Sequence, residues 1–247
     1  MCDNITASQK SLLQSAENDL HLKHFAEAVE KLRNLRTSLD EEGSVSNFHL
    51  MHIYENNIGI CYSSWKKYEN AHVSFKIALD TMIRHCYCSV HNIAPLKICI
   101  AYSLVDLKKY NDANLQFEEA LHMLEESKGS ESDDVDKAMF LWGKYMNEHS
   151  QFVISRRYLE ICLRIREKKG NAPNIALALY ALGIVHLNIG NEDVAEAMML
   201  KGLHLNGKTH GYDNPMCKMI WGRLDQMYLQ DHHYNKALKL LMIFHKK

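Results

Sequence analysis

The donors most able to do chemistry sit close together at His85, Cys86, Cys88 and His91. Thiolates and imidazoles this near one another could hold Zn²⁺. The spacing C-x-C-x2-H is not a standard structural-zinc pattern, however, and a helix end accounts for the same residues, so metal is the lesser reading. The fifteen histidines are otherwise scattered through 247 residues, and His232-His233 falls where a hairpin turn would expose it. No nucleophile motif, phosphate-binding loop or acid pair is found. The expectation is a chain that is not an enzyme and needs no cofactor.

Charge narrows the partners. The net charge of −1 recommends neither nucleic acid nor a membrane surface. Glu125–Asp136 carries six acids and one lysine and reads as a solvated acidic loop. The run Arg164–Lys169 ends at Gly170, as a helix C-terminus with basic residues against its dipole would. These cations could pair with the acidic loop or bind an acidic partner. Seven cysteines do not pair by spacing. Cys61, Cys99 and Cys162 fall in helical stretches, which points to free, buried thiols in a reducing compartment. The first ten residues contain no apolar run that would make a secretory signal. The apolar stretch Ile98–Val105 is too short to span a bilayer, so no membrane insertion is expected and the default location is cytoplasmic.

The elements behind these residues come from a repeated packing pattern. In Glu55–Leu79, Gly59 and Tyr62 fit one helix and Ala71, Phe75 and Ala78 fit one face of a second, with a short polar break between. Ala28, Ala71, Ala113, Ser155, Ala195 and Ala237 recur at steps of 43, 42, 42, 40 and 42 residues. Twelve positions earlier stand Ala16, Gly59, Ala101, Gly143, Gly183 and Asp225, small in all but the last. Four positions later stand Leu32, Phe75, Phe117, Leu159, Met199 and Leu241, all large and apolar. Three positions earlier stand Phe25, Tyr68, Tyr110, Phe152, Glu192 and Tyr234, aromatic in five. Columns in phase across the chain predict an all-α array, an α-solenoid of about six helix-turn-helix repeats forming one domain over 1–247. The repeats span approximately 9–42, 50–84, 94–126, 136–169, 174–207 and 216–247. Thr6 or Ser8 is expected to cap the first helix, and a loop with Gly43 to follow the first hairpin. Pro95, Pro173 and Pro215 are each expected to precede or open a first helix, where proline is tolerated.

This order of small, aromatic, small, large and small residues resembles the tetratricopeptide repeat (TPR), with Gly59, Tyr62, Ala71, Phe75 and Ala78 of the second repeat filling each slot. The step near 42 exceeds that family's 34 by about two helical turns, which is similar to the longer repeats of kinesin light chains. Gly211-Tyr-Asp-Asn-Pro215 and Gly170-Asn-Ala-Pro173 resemble the Gly-x-x-His-Pro linker of those proteins, with Asn for His in the first and one residue fewer in the second. Asn56-Asn57 before Ile58-Gly59 resembles their Asn-Asn-Leu-Ala run. The sixth repeat departs most, with Asp225 and Phe244 in small slots.

The resemblance implies a right-handed TPR superhelix whose first helices line a concave groove. Its phasing turns Ile53, Asn56, Ile60 and Ser63, then Pro95, Ile98, Tyr102 and Val105, toward that groove. The next two repeats give Lys137, Phe140, Lys144 and Asn147, then Leu177, Tyr180, Ile184 and Leu187. Such a surface would pocket large side chains of a peptide while Asn56, Asn57 or Asn147 hydrogen-bonds its backbone. The same apolar residues, Ile98 and Ile184 above all, could instead be inter-repeat core. No repeat supplies the Lys-and-Asn pair used by TPR domains that hold chaperone C-terminal carboxylates. The C-terminal Leu240, Leu241, Ile243 and Phe244 cannot all face the sixth repeat, so this end is expected either to be a fragment's edge or to dock on something, including a second copy. The expected function is a non-catalytic scaffold or adaptor that binds peptide segments or helices of other proteins. The alternatives are a structural subunit working through its convex face or last helix, and a peptide-responsive sensor, for which no effector domain is seen in this sequence.

Overall fold

A computed structural model describes residues 7–42, 48–85, 89–230 and 232–245. Among the described residues are twelve helices and no strand. They are α1 (Ala7–His21), α2 (Phe25–Glu42), α3 (Phe48–Ser64), α4 (Tyr68–Arg84), α5 (Val90–Asp106), α6 (Tyr110–Lys128), α7 (Asp133–Glu148), α8 (Phe152–Lys169), α9 (Ala172–Asn188), α10 (Glu192–His210), α11 (Pro215–Gln230) and α12 (Tyr234–His245). The chain divides into two compact units, Met1–Ser130 and Glu131–Lys247. The first holds hairpins α1–α2, α3–α4 and α5–α6, and the second holds α7–α8, α9–α10 and α11–α12. Within each unit, every hairpin packs on the next through its second helix, as α2 on α3 and α8 on α9. Each unit is thus a short α-solenoid.

The repeated columns are the packing. The recurring residues of the second helices are buried in every repeat, from Ala28 through Ser155 to Ala237. A Cβ on Gly59 would strike the Phe75 ring. One on Gly143 would lie 2.8 Å from Leu159 Cγ, and one on Gly183 would lie 2.9 Å from Met199 Cγ. The small column of each first helix is therefore the gap that the large column of the second helix fills, and both helices gain dispersion contact from the fit. Asp225 breaks the small column but is only half-buried.

Turn geometry repeats as well. Lys23, Lys66, Lys108, Ser150, Gly190 and His232 occupy one position of each hairpin turn, with φ between 58° and 80°. Each ends its first helix in the left-handed region, and only one of them is glycine. In the second unit the links between hairpins also share a chemistry. Gly170 and Gly211 stop the second helices at positive φ. Ser132, Asn171 and Asn214 then cap α7, α9 and α11 by accepting from Val135 N, Asn174 N and Cys217 N.

Three local expectations change. Pro95 does not open a helix: α5 begins at Val90, directly after Ser89, and Pro95 is its sixth residue. That depth still leaves only the bond to His91 O unmade, and the ring is exposed. Glu125–Asp136 is not a loop, because α6 runs to Lys128 and α7 starts at Asp133, leaving only Gly129–Ser132 between them. Acids in the first turn of α7 are favoured by the helix dipole. Ser8 lies inside α1 rather than capping it. Thr6 and Gly43 lie outside the described residues, as do the side chains of Ile243 and Phe244.

The basic end of α8 meets the acidic start of α7 within the second unit. Lys168 pairs with Glu131, and Lys169 with Asp133 at 2.7 Å. Deeper in, the Arg166 guanidinium holds Asp136 at 3.0 Å, donates to Asn174 O and lies 4.2 Å from the Phe140 ring centroid. Both members of the pair are buried. The guanidinium therefore ties α7, α8 and the start of α9 together, with its charge met and most of its donors used.

Candidate functional site

The packing that aligns α7, α9 and α11 leaves a cavity of about 450 Å³ in the second unit. Phe140, Lys144, Asn147 and Glu148 of α7 form one wall, at helical spacing. Leu177, Tyr180, Ala181 and Ile184 of α9 form the next, Met219 and Arg223 of α11 the third, and Leu159 of α8 reaches up from the floor. Leu159 can reach because Gly143 has no Cβ above it. Tyr180 and Ile184 are half-buried and pack against the core around Ile220 and Leu224, so α11 holds their inner edges while their outer edges meet the cavity.

Polar groups are sparse and mostly donors. Asn188 Nδ2 donates to Asn147 Oδ1 at 3.0 Å, which orients the Asn147 carboxamide and leaves its NH₂ for another acceptor. Arg223 donates through one terminal nitrogen to Gln226 at 2.9 Å, while its Nε is buried and meets no acceptor. Lys144 is exposed at the rim, with Glu148 as the one carboxylate in the lining. An apolar floor with a few oriented polar groups is the usual form of a recognition pocket.

Six sequence-predicted residues, Phe140, Lys144, Asn147, Leu177, Tyr180 and Ile184, come together here. Phe140 contributes only an edge, since it is 7% exposed and backed by Arg166. Asn57 and Ile60 line a separate cavity of about 170 Å³ in the first unit, with Leu13, Glu17 and Leu20 of α1. Asn56 is half-buried and its Oδ1 meets no donor. Ile98 and Tyr102 are half-buried on α5 and line neither cavity. Val105, also phased toward the groove, is fully buried core. Sequence reasoning missed Glu148, Leu159, Ala181, Met219 and Arg223. One further repeat step from Leu177 would have reached Met219.

Two other cavities, of about 260 and 430 Å³, lie among α2, α3 and α4 and share Arg33, Tyr62 and Asn70. Their acids and bases nearly balance, and Arg36 is paired with buried Glu55, so no charge selects a ligand there. Of the weak metal candidates, His85 is the half-buried C-cap of α4, and Cys86, Cys88 and the His91 side chain lie outside the described residues. Among the described residues no group of three or more His, Cys, Asp or Glu gathers as a metal site. Cys61, Cys99, Cys162 and Cys217 are free. Burial pushes the Cys61 and Cys99 thiols up to about 11. Burial and then Asp136 push that of Cys162 to about 12. No described helix is long and apolar enough to cross a membrane.

Solved structures resemble the chain closely in fold. The nearly identical TPR-like repeats assigned to a P. anserina kinesin light chain align with a TM-score of 0.67 at 13% identity, covering 81% of this chain and 95% of that one. The apo form of RapI aligns at 0.61 and 15% identity, covering 95% and 94%. The chain has the tetratricopeptide-repeat fold. A Rap conjugation gene regulator of plasmid pLS20, solved in complex with the Phr* peptide, aligns at 0.55 and 14% identity over 99% of this TPR chain and 76% of that one. At these identities the likeness is one of fold. No family model matches the sequence, and no curated protein is significantly similar to it.

Proposed function

We propose that this TPR chain is a non-catalytic scaffold that binds other proteins by seating a peptide segment in the cavity of its second unit. The observation that carries the reading is the convergence of Lys144, Asn147, Tyr180 and Ile184 with Met219 and Arg223 around one apolar-floored opening. A large apolar side chain of the peptide enters between Tyr180, Ile184 and Met219, and peptide oxygens take the donors of Asn147, Lys144 and Arg223. The pLS20 regulator binds a peptide on the same fold, which supports the class of ligand but not its sequence. Free, buried thiols suit a reducing compartment, and a net charge of −1 suits protein rather than nucleic acid. A structural-subunit role, favoured by an exposed apolar stripe on α12, is the second reading.

Peptides selected from a displayed library on the full chain should bind Tyr180→Ala and Asn147→Ala at least about tenfold more weakly, as removal of a central aromatic or an orienting amide does. Unchanged affinity with unchanged helical melting would remove the cavity as the binding site.

A further inference from the structure

α12 packs on the second unit through Ala237 and Leu240, both buried. Another face carries Tyr234, Leu238 and Met242, which are 55%, 56% and 66% exposed. Spacing of four places them in one stripe. Exposed Lys239 borders it, and Lys236 donates to Glu196 at 2.6 Å. From Tyr234 to Lys247 the sequence holds four lysines and no acid.

The array itself indicates what lies over such a stripe. One repeat step back, Leu238 and Met242 correspond to Glu196 and Leu200 of α10. There the following hairpin covers them. Glu196 accepts from the Tyr228 hydroxyl at 2.8 Å and from Lys236, and Leu200 packs against the core that α11 shares. On α12 the same positions are apolar and, among the described residues, uncovered.

We propose that the Tyr234–Leu238–Met242 stripe docks an amphipathic helix of a partner protein, whose apolar face covers the stripe and whose edge carboxylates face Lys239. A ridge of three side chains fits between the ridges of one helix and offers too narrow a face for a lipid surface. A second copy is disfavoured by charge, because it would set Lys239 against Lys239 with no carboxylate on the described part of α12 to meet either. The stripe lies apart from the cavity lining, so either site can fail alone.

The test uses the full chain and a stapled helical peptide with leucines on one face and glutamates along both edges, beside a twin with lysines in place of the glutamates. The glutamate peptide should bind about tenfold more tightly than its twin, and added salt should weaken it. Leu238→Asp with Met242→Asp should abolish binding while helical melting is retained. Lys239→Glu should shift the preference toward the lysine twin. Equal binding of the two peptides, no binding of either, or indifference to the double variant would overturn the proposal. So would a dimer in sedimentation that the double variant dissolves, which would assign the stripe to a second copy. Tighter binding to phosphatidylserine vesicles than to the glutamate peptide would assign it to a membrane and equally overturn it.

Discussion

A Cβ on Gly183 would come within 2.9 Å of Met199 Cγ and 3.4 Å of the Ala195 carbonyl, so a side chain there must displace the Met199 side chain or push α9 and α10 apart. Gly183→Val should therefore cost about 1–3 kcal/mol by overpacking, less the few tenths of a kcal/mol by which valine exceeds glycine in helix propensity. Chemical denaturation reads this, and an unchanged midpoint would mean the small column does not set the crossing. Two histidines give stability a pH dependence. Burial, then Lys76 and Lys109, hold His72 below the ordinary imidazole value. Burial, then Arg156, do the same for His186 against the opposing pull of Glu160. A depressed imidazole takes its proton later in the folded state than in the unfolded chain. As pH falls through about 6.5, the unfolded chain is protonated first and stability is lost, whereas above about pH 7 this effect is flat. Denaturation at pH 7.5 and 5.5 should show the drop, and His72→Gln with His186→Gln should shrink it. Equal drops in both proteins would exclude these histidines as its source. The small and large columns were legible in the sequence because each is a steric demand on one residue type. The burial of His186 was legible only through the repeat phase, since it stands three residues after Gly183 as Tyr62 does after Gly59, and nothing else along the chain sets it apart from the exposed histidines.

The hairpin turns carry strain that could be relieved. Lys23, Lys66, Lys108, Ser150 and His232 sit at φ near 60°, where a Cβ crowds the carbonyl oxygen. Gly190 shows that the position accepts glycine. Lys108→Gly should raise stability by about 0.5–1 kcal/mol, the left-handed cost removed less the extra entropy of an unfolded glycine. A lower melting temperature would show that the exposed Lys108 side chain makes a contact worth more than the strain. Second helices were read well from the sequence, because the aromatic residue that opens most of them marks the break; α2, α8, α10 and α12 begin at the expected Phe25, Phe152, Glu192 and Tyr234. First helices were read short at their N-termini. Pro95 by its type suggests a start although α5 has already completed a turn there, and the acids before Val135 suggest a solvated loop although they suit the positive end of α7. The pairing of the acidic and basic runs was one of two alternatives in the sequence. The Lys168–Glu131, Lys169–Asp133 and Arg166–Asp136 pairs decide for contact within the unit.

The chain combines two solenoid units, each with its own cavities, and among the described residues that of the second unit gathers several residues phased toward the expected groove. This much of the site was legible because groove-facing positions inherit the repeat step. Leu159 and Arg223 were not, because the first reaches the cavity from a second helix and the second depends on how the sixth repeat continues the columns. Two surfaces emerge, the cavity and the α12 stripe, and a methionine reports on each: Met219 lines the cavity, Met242 lies on the stripe, and buried Met82 belongs to the first unit. The most direct measurement is a methyl NMR spectrum of the chain labelled at its methionine methyls, titrated with a peptide selected on it from a displayed library. If the cavity is the peptide seat, the Met219 methyl shifts in proportion to binding while those of Met82 and Met242 stay in place. Saturable binding that leaves Met219 unmoved and shifts Met242 or Met82 instead would contradict it.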